Sequence, residues 1–349
     1  MNSKIYVNGR FLTQEITGVQ RVASEVGLML QKHYGDKIIF LCPPLTPLKA
    51  YPKSFNCLII GKNQGVFWEQ FELPLFLKKN KAKILINFCN TAPLLFARNI
   101  ITIHDMAIHY DKKWFSWKFS LYYKFLFYFN VRNAKTIITD SFFSKNEILK
   151  FYPKIKNQKI EVVYLASFIR EENNLNKRDY FLAINSINPR KDVDTIVNAF
   201  ENLDPQLYKL KIVGGQNKKV FGSEIKTNKT NIDYLGSVSD EELIILIKES
   251  KALINSSLYE GFGLPPLEAM SLKTPCILSK IKVYEELYSD VAIFFKPGEP
   301  KELSAKIIEL ANKDNYDEIC EKSYSLSLNF SWEKTGSEYI RIIENQTNN

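Results

Sequence analysis

Short runs of aliphatic and β-branched residues alternate with longer amphipathic stretches along the whole chain. Such runs predict buried strands when turn residues bound them, whereas apolar positions three and four apart predict helices. Strands that alternate with helices indicate βαβ units and parallel sheets. In the first half we expect strands at Lys4 to Val7, Lys37 to Leu41, Cys57 to Ile60, Ile84 to Phe88, Ile100 to His104, Thr136 to Thr139 and Ile160 to Tyr164. In the second half we expect them at Tyr180 to Ile184, Lys209 to Val213, Ile232 to Leu235, Ala252 to Ser256, Cys276 to Leu278 and Ala292 to Phe294.

Two helix starts are indicated by local sequence. Thr17 and Gly18 open an amphipathic stretch that runs to about Tyr34. Ser144 and Glu147 form an S-x-x-E pattern, which is typical of a capping box at a helix N-terminus. We therefore expect one helix over about 17 to 34 and another that begins at Ser144.

The chain length predicts two domains, because 349 residues exceed what a single core usually supports. Arg170 to Arg178 is polar and without apolar periodicity, so it is the best candidate for the linker. We expect Rossmann-like α/β domains at 1–170 and 171–330. A C-terminal helix at 331–349 follows, with a return to the first domain as one option.

Composition narrows the class of protein. The fractions of apolar residues (45%) and charged residues (24%) are those of a soluble globular chain. The N-terminus lacks the apolar stretch of a secretory signal, and no run approaches the roughly 20 apolar residues that span a bilayer. The five cysteines are scattered and include no CxxC pair. We expect a cytoplasmic protein with reduced thiols.

Charge divides unevenly between the two halves. Residues 1–170 carry a net charge of +15 and residues 171–349 a net charge of −6. A basic domain suits phosphates, which nucleic acid, lipid headgroups or a phosphorylated acceptor would supply. The stretch Lys112 to Lys135 mixes basic residues with Trp114, Trp117 and many Tyr and Phe residues. This mixture predicts peripheral contact with the anionic inner surface of the membrane, while packing of the aromatics in the core is the alternative.

The strongest candidate site is Ser257 to Met270, SLYEGFGLPPLEAM, which follows one predicted strand and leads into a helix. Seven residues separate Glu260 from Glu268. Its glycines allow a ligand to approach the backbone, and a helix opened by proline presents free amides to an anion. The segment therefore predicts a phosphate cradle, although an ordinary glycine turn with two solvated glutamates stays open as the alternative.

A second candidate is Asn188 to Lys191, NPRK, at the end of the strand YFLAINS. Arg190 and Lys191 suit a nucleotide diphosphate, because arginine supplies a forked pair of hydrogen bonds and lysine a compact charge. An exposed basic turn is the alternative. Asp192-Val193-Asp194 matches a D-x-D metal motif superficially, but aspartates at a helix start serve as caps. We expect capping and no metal site.

These segments resemble the GT-B glycosyltransferases of the group 1, or family 4, retaining type, whose signature is E-x7-E in this form. The resemblance extends over Thr274 to Lys280, TPCILSK, and Glu286. It implies two Rossmann-like domains that bind the activated donor in the cleft between them. It also implies that Glu260 contacts the donor sugar and Glu268 the ribose hydroxyls. The backbone near the sugar and diphosphate is then that of Gly261, Phe262, Gly263 and Leu264.

The resemblance also assigns two positions in the first half. Gly18, in TGVQR, is placed to admit the donor phosphate or the acceptor, although an ordinary helix N-terminus explains a single glycine equally well. His104 precedes Asp105 at the end of the strand NIITIH, where the family has an HD pair. It is expected to hydrogen-bond the donor sugar or an acceptor hydroxyl, and a structural hydrogen bond is the alternative. For FWEQFELP and DSFFSK we expect packing and capping.

By this resemblance the chain is a retaining glycosyltransferase. It would need no cofactor and would use a nucleotide-diphosphate sugar, GDP-mannose as a first guess, to extend a lipid-linked bacterial surface saccharide. GDP-fucose, dTDP-rhamnose and UDP-sugars stay open as donors. A nucleotide-sugar epimerase of the same architecture is the alternative function. Nucleic-acid binding fits the basic half, but no nucleic-acid-binding module is recognisable.

Overall fold

The computed structural model describes residues 4–44, 54–111, 113–169, 179–185, 188–215 and 230–347. Lys112 and the predicted linker Arg170 to Arg178 lie outside these ranges. The strands, helices and contacts of the protein are those of the described residues.

The first sheet has seven parallel strands in the order β3-β2-β1-β4-β5-β6-β7. Its strands are Ile5–Asn8 (β1), Ile38–Cys42 (β2), Cys57–Ile59 (β3), Leu85–Asn87 (β4), Asn99–Thr102 (β5), Thr136–Thr139 (β6) and Ile160–Val162 (β7). The strand order reverses between β1 and β4. In an open parallel sheet ligands bind beyond the carboxyl ends of the strands at this switch point.

The second sheet repeats the arrangement with six parallel strands in the order β10-β9-β8-β11-β12-β13. Its strands are Phe181–Ile184 (β8), Leu210–Val213 (β9), Ile232–Gly236 (β10), Leu253–Asn255 (β11), Cys276–Ser279 (β12) and Ile293–Phe295 (β13). The switch point of this sheet lies between β8 and β11. A core of buried aliphatic and aromatic residues packs against the sheet, including Ile196, Phe200 and Ile254.

Helices lie between many of the successive strands, as the alternating pattern predicts, although β5 follows β4 directly. In order they are Gly18–Tyr34, Gly65–Phe67, Leu73–Lys79, Trp117–Asn133, Phe142–Phe151, Val193–Glu201, Asp240–Glu249, Leu264–Ser271, Lys282–Tyr288, Pro300–Ala311, Tyr316–Ser327 and Trp332–Thr347. A π-helical turn, Trp68–Glu72, lies between the second and third of these.

The thirteen strands lie within two residues of their predicted bounds, and the helix Gly18–Tyr34 is also confirmed. The prediction of a helix start at Ser144 was wrong. The helix Phe142–Phe151 begins two residues earlier, because Ser141 has the extended backbone of an N-cap and its hydroxyl accepts a hydrogen bond from the Ser144 N–H. The motif DSFFSK does contribute a cap, but through its first serine.

The chain divides into two compact units. The first comprises Met1–His109, Lys118–Leu165 and Ser331–Asn349, and the second comprises Tyr110–Trp117 and Ala166–Phe330. The segment Tyr110–Trp117 thus groups with the second unit, in which the ring of Tyr110 packs 4.8 Å from that of Tyr259.

The C-terminal helix packs within the first unit. Its Tyr339 hydroxyl lies 2.9 Å from the hydroxyl of Thr102 on β5. Gly336 lies against Met29 so closely that an added Cβ would come within 2.9 Å of the methionine Cβ. These contacts bury one face of the helix, including Trp332 and Ile343.

Candidate functional site

The two strongest motifs of the sequence meet at the switch point of the second sheet. NPRK follows β8, and the loop that carries Glu260 follows β11, which pairs with β8 in parallel. Because the carboxyl ends of neighbouring parallel strands lie at the same edge of a sheet, residues 70 positions apart in sequence come into contact.

Glu260 accepts hydrogen bonds from both cations. Lys191 Nζ lies 2.5 Å from its Oε1, and Arg190 Nη1 lies 3.0 Å from its Oε2. Ser257 Oγ donates a third bond to Oε1 over 2.7 Å. Arg190 Nη1 also donates to the Tyr259 carbonyl over 2.7 Å. The two cations and one carboxylate leave this buried cluster with a net positive charge, which suits a diphosphate.

Electrostatics keep Glu260 ionised. Burial by itself raises the pKa of this carboxyl, but the charges of Arg190 and Lys191 and the hydrogen bonds from Lys191 and Ser257 outweigh burial and lower the pKa to about 2. Glu260 is therefore a carboxylate throughout the physiological range. It is a hydrogen-bond acceptor there and not a proton donor.

The turn that carries the basic pair is held by neighbouring backbone and side-chain groups. The Asn188 side chain accepts from the Arg190 N–H over 2.9 Å, which caps the short 3₁₀ turn Pro189–Lys191. Ser256 Oγ donates to the carbonyls of Lys191 and Asp192, each over 2.8 Å. Asp192 has φ of 47°, a conformation that is costly for a residue other than glycine. Strain of this kind persists where surrounding structure fixes the backbone, often at functional sites.

Gly263 is the last residue of the loop that carries Glu260, directly before the helix Leu264–Ser271. Its φ is 104°, and a Cβ at this position would lie 2.4 Å from Cε1 of Tyr284. Tyr284 in turn donates to Asn255 Oδ1 over 3.1 Å, and the Tyr288 hydroxyl donates to the Gly263 carbonyl over 2.9 Å. Sequence reasoning missed these two tyrosines. Their spacing of four within one short helix was the available signal.

The helix after this loop offers fewer free amides than its position suggests. Leu264 is its first residue, and Pro265 and Pro266, which follow, have no N–H group. The N–H groups of Gly263 and Leu264 are therefore the available donors on this first turn. Glu268 lies one turn further along and is 9% exposed.

Comparison with known proteins places these motifs in a family. The model for glycosyl transferases group 1 matches residues 166–324. O-antigen chain mannosyltransferase RfbU of Salmonella typhimurium is 31% identical over 246 residues, which cover 67% of each chain. This chain belongs to the group 1 glycosyl transferases. O-antigen chain mannosyltransferase B of Escherichia coli is 27% identical over 268 residues, 71% of this chain and 70% of that one.

Solved structures show the same GT-B fold for this glycosyltransferase. The Anabaena protein HepE, crystallised with UDP and glucose, aligns with a TM-score of 0.73 at 14% identity over 98% of this chain and 99% of that one. WaaG, a glycosyltransferase involved in lipopolysaccharide biosynthesis, aligns with a TM-score of 0.72 at 13% identity over 97% and 99% of the two chains. The predicted fold class is thus confirmed.

In the first unit of the glycosyltransferase, His104 is enclosed by protein groups. Its Nδ1 lies 2.7 Å from Asp140 Oδ2, and its Nε2 lies 2.8 Å from the Phe88 carbonyl. Burial lowers the pKa of the imidazole, but the Asp140 carboxylate and the Phe88 carbonyl outweigh burial and raise it. A hydrogen bond from His104 to a sugar would have to replace one of these contacts, so a role for His104 in catalysis stays a prediction.

Gly18 and the aspartates beside the basic turn also stay predictions. Gly18 is exposed at the start of its helix, and Thr17 before it forms a capping box with Gln20. Asp192 accepts from the Thr195 hydroxyl over 2.7 Å, which supports a local structural role. Among the described residues, no group of three or more His, Cys, Asp or Glu side chains is placed to hold a metal ion.

Within the described ranges, no helix combines the length and apolar character that crossing a bilayer requires. None of the five cysteines, which all lie in the described part of the chain, forms a disulfide.

Proposed function

We propose that this glycosyltransferase moves mannose from GDP-mannose to a hydroxyl of a growing, lipid-linked surface saccharide, with retention of configuration and without a metal cofactor. The second unit would bind the donor, and the first would bind the acceptor. The observation that carries the proposal is the contact of Arg190 and Lys191 with Glu260 of the E-x7-E loop, in a chain whose relatives are O-antigen mannosyltransferases.

The donor diphosphate would lie against the basic pair. Arg190 and Lys191 each have side chains that are 14% exposed, so both are largely withdrawn from water, where their charges act strongly. Glu260 holds both in place before the donor binds. Glu268 would accept hydrogen bonds from the ribose hydroxyls.

The transfer needs few protein groups in the proposed mechanism. The acceptor oxygen forms a bond to the anomeric carbon on the face from which the diphosphate departs, and the bond between that carbon and the phosphate oxygen breaks. The acceptor proton passes to the leaving phosphate. Arg190 and Lys191 stabilise the negative charge that grows on the diphosphate. This role lowers the barrier without a divalent cation.

A panel of nucleotide sugars tests the choice of donor by thermal shift. A ligand at 100 times its Kd stabilises the native protein by about 2.7 kcal/mol. That stabilisation corresponds to a rise in Tm of roughly 5 to 10 °C for a unit of this size. We expect GDP-mannose to give the largest rise in the Tm of the native enzyme. This rise should be lost in Glu268→Gln. It should remain in Glu299→Gln, which alters an exposed glutamate of the same unit. A larger rise with a UDP-, dTDP- or other GDP-sugar would contradict this choice of donor.

We also propose that the first unit contacts an anionic membrane surface. On the helix Trp117–Asn133, Leu121, Phe125 and Tyr128 lie on one face and are 64%, 53% and 47% exposed. The exposed cations Lys118 and Arg132 flank them. Exposed apolar side chains beside lysine and arginine suit the headgroup region of a bilayer. Of the two tryptophans expected there, Trp117 is exposed and Trp114 is buried.

Co-sedimentation with vesicles that contain phosphatidylglycerol tests this contact. We expect binding that weakens at high salt and is lost in Leu121→Glu. Leu207→Glu is the matched control, because Leu207 is also 64% exposed but lies in the second unit. Equal binding by the two variants would contradict the membrane contact and leave the transferase proposal intact.

A further inference from the structure

A second polar cluster lies at the switch point of the first sheet. Asn8 ends β1 and Asn87 ends β4, its parallel neighbour, and the Asn8 amide donates to Asn87 Oδ1 over 3.1 Å. The same amide donates to Glu69 Oε1 over 2.9 Å. This position in the first sheet corresponds to that of the Arg190–Glu260 cluster in the second, because each follows the strand pair at which the order reverses.

Glu69 is a buried carboxylate at the centre of this cluster. It is 2% exposed, and it takes a hydrogen bond over 2.7 Å from Arg10 Nη1 and another over 3.2 Å from the Thr91 hydroxyl. It lies on the π-helical turn Trp68–Glu72. The π-helix is rare in proteins as a whole, but where it does occur it is often at a functional site. A buried ion pair is weak evidence for stability, since apolar replacements are often as stable. The pair therefore calls for a functional explanation.

The Arg10 guanidinium has more N–H donors than its bond to Glu69 uses. It carries five N–H groups, and the bond from Nη1 to Glu69 is its one side-chain hydrogen bond to another described residue. The side chain is 21% exposed, so part of the fork faces outward from the carboxyl end of β1. Such a fork, fixed at one edge by a carboxylate, is pre-organised to bind a ligand at the other.

Tyr122 adds a polar group without a partner. Its hydroxyl is buried and makes no hydrogen bond within the described part of the chain. Burial and the charge of Glu69 together raise the pKa of Tyr122 to about 12, while the charge of Arg10 opposes them, so the phenol lies within electrostatic reach of the ion pair. Buried polar groups are rarely left unpaired in native proteins, and this hydroxyl, unlike that of Tyr34, which is also unpaired among the described residues, lies near the Arg10–Glu69 pair, so it points to a ligand at that pair.

We propose that Arg10 and Tyr122 form a subsite for hydroxyl groups of a neutral acceptor saccharide, and that Glu69 positions Arg10. This inference rests on the proposed transferase function and assigns residues of the first unit to it. Neutral hydroxyls fit better than a phosphate, because Glu69 balances the charge of Arg10 at 2.7 Å and would repel an anion. Glu69 is a positioning residue, since it acts through Arg10.

Steady-state kinetics test the subsite with GDP-mannose and a panel of octyl glycosides, of which the best acceptor for the native enzyme is used. Tyr122→Phe is expected to raise the acceptor KM about tenfold, as the loss of one hydrogen bond to a ligand does. The donor KM stays unchanged and Tm does not fall, because the hydroxyl has no protein partner to lose. Tyr34→Phe is the matched control, since its hydroxyl is also buried without a partner among the described residues. It is expected to leave the acceptor KM unchanged.

Arg10→Lys supplies the second variant. Lysine keeps a positive charge opposite Glu69 but loses the outward fork, so the acceptor KM should rise while Tm stays near that of the native enzyme. Unchanged acceptor KM in both Arg10→Lys and Tyr122→Phe would overturn the subsite alone. Competition by inorganic pyrophosphate against the glycoside, lost in Arg10→Lys, would overturn its neutral character. Transfer to none of the glycosides by the native enzyme would contradict the proposed function and the subsite with it.

Discussion

Substitution of Glu260 by glutamine removes a buried charge and preserves shape, so it isolates the electrostatic part of the site. The pKa of Glu260 is about 2, against an ordinary value of 4.5. At 1.36 kcal/mol for each unit of pKa, the native state favours the ionised form by about 3.4 kcal/mol. We expect Glu260→Gln to lower the free energy of unfolding by about 3 kcal/mol at pH 7, within the range for breaking a buried ion pair.

The stability that Glu260 contributes should depend on pH. A carboxyl whose folded pKa is depressed contributes its full stability above about pH 4.5, and the contribution is lost as pH falls towards 2. The difference between the native enzyme and Glu260→Gln should therefore shrink to about 1.4 kcal/mol at pH 3, because this carboxyl is largely protonated in the unfolded chain at that pH while it is still mostly ionised in the native state.

Urea unfolding at pH 7 and pH 3, followed by fluorescence and circular dichroism, measures this difference. Glu299→Gln is the matched control, because Glu299 is 48% exposed and pairs with an exposed lysine. It should change the stability by less than about 1 kcal/mol at either pH. A Glu260→Gln effect of the same size at pH 7 and pH 3 would refute the electrostatic account of this cluster.

Three further predictions concern the donor site. Glu268→Ala should weaken donor binding, whereas Arg190→Ala and Lys191→Ala should chiefly lower turnover, and near-native kinetics in all three variants would place the site elsewhere. Transfer should persist in excess EDTA, and strict dependence on manganese or magnesium would instead make the aspartates after the basic turn metal ligands. Gly263→Ala should lower Tm by several degrees because of its φ of 104° and the contact with the neighbouring tyrosine ring, and an unchanged Tm would contradict that packing.

Local sequence patterns were sufficient to predict the strands. Alternation and runs of β-branched residues are local properties, and every strand of the two sheets lies within two residues of its predicted position. The helix start at Ser144 was wrong, because S-x-x-E identifies a residue type at a spacing and not the extended backbone that a cap requires. Ser141 has that backbone.

The candidate site was predictable only where its residues lie within one short motif. The NPRK turn and the E-x7-E loop can each be recognised from local sequence. Their contact, however, depends on the pairing of β8 with β11. The Arg10–Glu69 pair gave no such signal, because 59 positions separate its members and the motif FWEQ resembles a packing segment. Trp68 does pack, at 0% exposure, while its neighbour Glu69 is the carboxylate of the cluster.

The central claim is tested most directly by incubating the purified enzyme with GDP-mannose and a lipid-linked saccharide acceptor and determining the anomeric configuration of the product by NMR. We predict that mannose becomes attached to an acceptor hydroxyl with the α configuration that it has in the donor. We also predict that GDP-mannose incubated without acceptor is not epimerised. A β-linked product would contradict retention, and an epimerised nucleotide sugar in the absence of acceptor would contradict the transferase account.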